Sequence, residues 1–343
     1  MTLRVLWIVV LAMVPTAAFS QTRSVPERTL GVPQEFVSPE LQKVIGAAPP
    51  TAGAPITSEE WITRRNTMAE PIIKNYQANR ERLEVEVEKT TIAGVNCFVI
   101  TPHNLPQQNQ NRLLIHFHGG YYIFFPGESG IREGMLMASY GHMKVISVDY
   151  RLAPEHPFPA GQDDAVAVWK AVVQTNNPQN MAVFGTSAGG GMTLGLMLRA
   201  KQEGLPLPAA IAPGTPAADL TGSGDSYQTN KYVDNNLVSY DRLGAAAAKL
   251  YANGHDLKEP LVSPIFGDFT GLPPAIILTG TRDLQLSDAV NVHRKLLHSG
   301  GVAELHVFEG QSHAQYLANA PETQEALEQI AAFFDRYLGL KGK

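Results

Sequence analysis

The chain has 343 residues, 44% of them hydrophobic and 17% charged, which predicts a substantial buried core and excludes global disorder. Its net charge is −5 and its pI is near 6.1, with Lys and Arg scattered and no basic stripe, so a nucleic-acid partner is not expected. A single cysteine, Cys97, rules out an internal disulfide and leaves stability to the core alone.

The chain begins with Arg4, an apolar run from Val5 to Val14 and the small-residue stretch Ala18-Phe19-Ser20. That order is the pattern of a secretory signal peptide, with cleavage near Ser20–Gln21 and a secreted or periplasmic product. The apolar run is short for a membrane anchor, so no stable membrane insertion is expected after cleavage. Residues 21–57 are rich in Pro, Gly and Ala. Ser58 then reads as the N-cap of a helical stretch reaching about Arg82, with Pro71 as a candidate break. Leu83 to Glu88 alternates apolar and charged residues, as a strand with one wet face does.

Short apolar runs follow at Leu113–Phe117, Lys144–Val148, Met181–Phe184, Ala209–Ala212, Ala275–Leu278 and Glu304–Phe308. Helical windows fall between most of them, at Asp163–Asn176, Gly189–Glu203 and Ser287–Ser299, and a last one spans about Pro321 to Leu338. Buried strands alternating with helices predict an α/β fold, a mostly parallel sheet covered on both faces. About sixty residues without a strand separate Ala212 from Ala275, with Ser239–Asn253 helical in pattern. So long a connection suggests an insertion, at about 216–258, which together with N-terminal helices in 21–82 would cap a catalytic domain of 83–343.

In open α/β sheets, ligands sit beyond the carboxyl ends of the strands. After Met181–Phe184 comes Gly185-Thr186-Ser187-Ala188-Gly189-Gly190-Gly191, which reads as a nucleophile elbow: a tight strand-to-helix turn lifting Ser187 clear of the sheet. The helix behind it directs its positive end at the site. Alone, Gly-x-Ser-x-Gly also fits a glycine-rich helix start or a phosphate loop. Asp283 follows the run Ala275–Leu278, and His313 follows Glu304–Phe308, so Ser, Asp and His stand in the chain order of an α/β-hydrolase, each at a strand end. Ser187 needs a base to take its proton, His313 suits that shuttle, and Asp283 would fix the imidazole tautomer. Asp288 is the rival carboxylate, already inside the following helix.

A developing oxyanion needs donors. The amide of Ala188 is one candidate, and the loop His118-Gly119-Gly120-Tyr121 offers the others through Gly119, Gly120 and Tyr121. His116-x-His118 admits a metal pair, but His116 lies along a buried strand and no third ligand stands at a suggestive spacing, so no metal or other cofactor is expected. The aromatics Tyr121, Tyr122, Phe124 and Phe125 either line an acyl or alcohol pocket or pack under a cap.

Taken together, His118-Gly119-Gly120, the block Asp149-Tyr150-Arg151-Leu152-Ala153-Pro154-Glu155-His156-Pro157-Phe158-Pro159-Ala160, the Gly185–Gly190 turn, Asp283 and His313 resemble the hormone-sensitive lipase family of bacterial type IV esterases. The resemblance covers roughly Glu84 to Leu338. It implies the α/β-hydrolase fold with a helical cap, cofactor-free hydrolysis of small-molecule short-chain acyl esters through an acyl-enzyme on Ser187, and in many members a homodimer. The chain departs from the family pattern where Tyr121 replaces the third glycine of His-Gly-Gly-Gly, where Thr186 replaces a frequent Asp, and where Leu284 replaces a frequent Pro after Asp283. A lipase or deacetylase of the same fold and a non-catalytic hydrolase-fold binding module are the other readings. A penicillin-binding serine enzyme is disfavoured because the chain has no Ser-x-x-Lys.

Overall fold

The computed structural model describes residues 29–339, and it turns each of these apolar runs into a strand of one sheet. The export segment read at 1–20 lies outside the described residues. The strands are β1 (Val85–Ile92), β2 (Val95–Pro102), β3 (Leu113–Phe117), β4 (Lys144–Val148), β5 (Met181–Thr186), β6 (Ala210–Gly214), β7 (Ala275–Gly280) and β8 (Ala303–Phe308). Their order across the sheet is β1-β2-β4-β3-β5-β6-β7-β8. β2 runs antiparallel to β1 and β4, and every other pairing is parallel.

The helices are α1 (Pro39–Ile45), α2 (Ser58–Lys74), α3 (Tyr76–Arg82), α4 (Arg132–Gly141), α5 (Ala160–Thr175), α6 (Ala188–Gln202), α7 (Ser226–Thr229), α8 (Ala245–Ala252), α9 (Leu286–His298) and α10 (Pro321–Tyr337). Alternation along the strands sorts them into two layers. Leu113, Ile115 and Phe117 of β3 pack with α5, α6 and α9 in one apolar cluster. Leu114, with Val145, Ala182 and Ile276 of the neighbouring strands, packs with α4 and α10 on the opposite face. In α10, Thr323, Ala326, Leu327, Ile330, Phe333 and Phe334 are buried at helical spacing, which is the stripe the sheet requires.

Several local features differ from expectation. Thr57, not Ser58, caps α2: its hydroxyl accepts from Glu60 N while the Glu60 side chain returns to the Thr57 amide, a capping box. The helix also continues through Pro71 and ends at Asn75. The carbonyl that loses its partner to Pro71 belongs to Thr67, which is exposed to water. β2 follows a two-residue turn, Ala93-Gly94, in which both residues have positive φ (51° and 83°). Such a turn joins hairpin strands, but Ala rather than Asn or Asp at its first position hides the signal. In α4, residues 133–138 are buried consecutively, so no 3.6-residue period marks it as a helix.

The strandless stretch between β6 and β7 holds α7, a wide-turned helical segment Tyr240–Gly244 and α8. Trp61 of α2, Ile123 and Phe124 of the loop after β3, Ala153 and Ala247 of α8 form a third apolar cluster. Helix α2, helix α8 of the insertion and that loop thus share one packing centre. No helix among the described residues is long and apolar enough to cross a membrane.

Candidate active site

Ser187 follows the last residue of β5 and precedes α6, with φ 63° and ψ −121°, a conformation rarely open to a residue with a side chain. The strain is held from both sides: Ser187 N donates to Gly214 O at 2.9 Å, and Ser187 O accepts from Ala217 N at 2.9 Å. The flanking glycines are a steric necessity, because a Cβ on Gly185 or Gly189 would overlap the carbonyl oxygen of Phe117 at the end of β3.

His313 and Asp283 lie beyond the ends of β8 and β7, both buried. His313 Nδ1 is 3.1 Å from Asp283 Oδ1. Asp283 accepts further bonds from Gln285 N at 2.8 Å, from Thr279 Oγ1 at 3.0 Å and from Thr215 Oγ1. The pairing leaves His313 Nε2 buried with no partner among the described residues, and His313 and Ser187 line the same cavity. Burial disfavours the imidazolium, but the charges of Asp283 and Asp234 and the hydrogen bond His313 donates to Asp283 outweigh it, so the His313 pKa is raised. Asp288 stands elsewhere: its Oδ2 accepts from Ala218 N, Asp219 N and Tyr227 Oη at 3.1–3.2 Å, and it makes no bond to His313. Burial raises its pKa well above the usual carboxylate range.

The loop after β3 comes close to the elbow: a Cβ added to Gly119 would lie 3.3 Å from Ser187 Cβ. The amides of Gly119, Gly120, Tyr121 and Ala188 have no backbone acceptor among the described residues. Gly120, Tyr121 and Tyr122 all have positive φ (107°, 58° and 62°), so Tyr121 adopts the backbone that a glycine would adopt freely. The Asp149–Ala160 block fixes this loop. Tyr150 Oη donates to His118 O at 2.8 Å and its ring stacks on the His118 imidazole at 4.4 Å. Ala153 N donates to Tyr122 O at 3.0 Å, and Arg151 grips Asp164 of α5 through paired bonds of 2.8–3.0 Å. Glu155 pairs with Arg65 of α2 at 2.9 Å, tying the block to the N-terminal helices.

His116 and His118 have separate hydrogen-bond partners. His116 Nδ1 is 2.8 Å from Ser147 Oγ and its Nε2 is 3.2 Å from Glu133 Oε2. His118 Nδ1 donates to Gly119 O at 2.7 Å, and burial pushes its pKa down to about 4, which leaves the ring neutral. Among the described residues no group of three or more potential ligands stands together.

Two cavities meet at Ser187. The larger, about 610 Å³, is lined by Gly119, Gly120, Tyr121, Phe125, Leu237 and His313 among others. The smaller, about 30 Å³, lies among Tyr121, Tyr122, Leu220, Tyr227, Tyr240 and Leu284. Of the four loop aromatics, Tyr122 and Phe124 are buried and pack on Tyr251 and Trp61, whereas Tyr121 and Phe125 are half-buried at the cavity wall.

Four residues of this centre carry no sequence signal of their own: Thr215 and Thr279 on Asp283, Glu133 behind Thr186, and Asp234 behind His313. Thr215 follows the end of β6, so the strand-end rule that located Ser187 would also reach it.

Residues 114–317 match the family model described as the alpha/beta hydrolase fold. An esterase of Acinetobacter venetianus is 32% identical over 254 residues, 73% of this chain and 82% of its own. The crystal structure of an esterase designated E25 superposes with a TM-score of 0.88 at 38% identity, covering 92% of this chain and 99% of that one. An esterase from the bacterial hormone-sensitive lipase family superposes with a TM-score of 0.74 at 27% identity, covering 88% and 99%.

Proposed function

The chain belongs to the α/β-hydrolase family and is a serine carboxylesterase of that fold, and we propose that Ser187, His313 and Asp283 form its catalytic triad. One observation carries this assignment: His313, with Asp283 3.1 Å behind its Nδ1, lines the same cavity as Ser187 on its elbow.

Ser187 Oγ attacks the acyl carbon as His313 Nε2 takes its proton. The carbonyl oxygen becomes an oxyanion, received by the amides of Ala188 and of Gly119, Gly120 and Tyr121. Collapse expels the alcohol, which takes the proton from His313. Water then attacks the acyl-enzyme and gives a proton to His313, which passes it to Ser187 Oγ as the acid leaves. Asp283 holds Nδ1–H throughout, so Nε2 is the nitrogen that moves protons.

The cavity sizes support short acyl chains. The small cavity takes little more than the methyl of an acetyl group, whereas a long chain would have to displace its tyrosines. The large one accommodates the alcohol. The N-terminal helices and the insertion act as a cap over these cavities, a role supported by α2, whose Arg64, Met68 and Ile72 line the large cavity and whose Trp61 shares an apolar cluster with Ala247 of α8. The N-terminal apolar run supports export, to the periplasm or medium.

Ser187→Ala, assayed on acetyl, butyryl and long-chain aryl esters, tests the proposal. It should lower kcat on the order of 10⁴- to 10⁶-fold on every ester. Survival of near-parental hydrolysis would overturn the assignment, and a preference of the parent for chains well beyond eight carbons would overturn the short-chain reading.

A further inference from the structure

We propose that Asp234 is a positioning residue for His313, and that the triplet Asp234-Asn235-Asn236 fastens the imidazole to the N-terminal helix α1. This rests on the reading of His313 as the general base.

Asp234 is fully buried and sits in the strandless insertion. Its Oδ2 accepts from Leu284 N at 2.8 Å and from His313 N at 3.2 Å. Its Oδ1 accepts from Asn236 N at 2.7 Å and Leu237 N at 2.9 Å. One carboxylate therefore bridges the loop after β7, next to Asp283, and the loop after β8, at His313 itself. Asn236 Nδ2 donates to His313 O at 2.9 Å, so both backbone polar groups of His313 are held by the triplet. Asn235 makes the third connection. Its Nδ2 donates to the carbonyls of Val44, Ile45 and Ala47, at 2.9, 3.2 and 3.0 Å, where α1 ends. Its backbone N donates to Ser312 Oγ at 3.1 Å and its Oδ1 accepts from Gln315 Nε2 at 2.7 Å.

The choice of side chain at 234 follows from the donors. Four N–H groups converge on it, and only a carboxylate offers acceptors alone; an amide would turn an NH₂ toward one pair of them. The carboxylate also acts through charge. Among the described residues the charges bearing on His313 are Asp283 from the turn after β7 and Asp234 from the insertion. Those bearing on Asp234 include Asp283 and His313, and the Tyr121 phenol of the loop after β3 stands in the field of both carboxylates. The loop neighbours Ser312, Ala314 and Gln315 are neutral, and α1 presents only carbonyls to the triplet. Both carboxylates favour the imidazolium, so removing Asp234 should make His313 easier to deprotonate.

The test uses the full chain and p-nitrophenyl acetate, with kcat and KM measured across pH for Asp234→Asn, Asn235→Ala and Asn236→Ala. Asp234→Asn should lower kcat on the order of 10- to 100-fold, as small misplacements of reacting groups do, with KM little changed and the acid limb moved to lower pH. Asn235→Ala and Asn236→Ala should lower kcat several-fold with the acid limb unmoved. A folded Asp234→Asn with parental kcat and an unmoved limb overturns the proposal. If Asp234→Asn does not fold, the two asparagine variants decide: parental kcat in both overturns it, and reduced kcat at unchanged KM upholds it. Parallel His313→Ala separates the two levels, because activity surviving there defeats the base assignment, whereas its loss beside normal triplet variants defeats only the clasp.

Discussion

Thr186 donates a 2.6 Å hydrogen bond to Glu133 Oε1, so the residue before Ser187 is fastened to a buried carboxylate on α4. The other oxygen of Glu133 meets His116 of β3 at 3.2 Å, and the Thr186 hydroxyl also lies 2.6 Å from Tyr316 Oη. Strand β5, strand β3, α4 and the loop after β8 are joined through this one polar node beneath the elbow.

Glu133→Ala strands Thr186 and His116 with one acceptor fewer each in a buried setting. The expected loss is on the order of 1–3 kcal/mol in urea unfolding, with a fall in kcat because the elbow loses a tether. Glu133→Gln should retain part of both. A loss below about 0.5 kcal/mol in Glu133→Ala would show the node to be structurally idle.

The pH dependence follows from His313. Burial works against its charged form, yet Asp283 and Asp234 outweigh burial and the pKa lies above the ordinary 6.5. With His313 as the proposed base, the ring must be neutral to accept the Ser187 proton, so activity should be lost as pH falls through that raised value. A profile of kcat/KM should show its acid midpoint above 6.5. A midpoint well below 6.5 would mean that burial wins over the two carboxylates.

Gly189→Ala sets a side chain against the Phe117 carbonyl, backbone that cannot step aside. We expect a poorly soluble or strongly destabilised protein with esterase activity reduced on the order of 100-fold or more. Gly53→Ala is the control, since nothing lies within 4 Å of its new Cβ, and its stability should stay within about 1 kcal/mol of the parent. Equal behaviour of the two in thermal melts and activity assays would refute the steric account.

Cys97 is buried in β2, and burial, followed by the nearby Asp149 carboxylate, pushes its thiol up to about 12. A thiol-specific reagent at pH 8 should leave the native protein unlabelled and modify one thiol per chain in urea. Prompt labelling of the native protein would show that this edge of the sheet opens readily.

What was legible in the sequence depended on repetition and position. Apolar runs and helical stripes revealed six of the eight strands in full sequence context, and a seventh, β1, through its alternation. Strand ends then led to Ser187, Asp283 and His313 without any knowledge of distances. β2 and α4 escaped because one follows a turn with an unusual Ala93 and the other is buried all round. In the sequence Asp283 stands apart from Asp288 only by its place in the chain; the structure sets Asp283, and not Asp288, 3.1 Å from His313 Nδ1.

By itself, then, the sequence determined the class of fold, the elbow around Ser187 and the order of the chemistry-bearing residues, because these follow from local patterns within a few residues. The tertiary structure alone decided which side chains stand behind them. Asp234 meets His313 across 79 positions, Glu133 meets Thr186 across 53 and Thr215 meets Asp283 across 68. A buried polar group leaves no period and no motif; its partner is chosen by whichever donors the packed sheet and its insertion bring within reach.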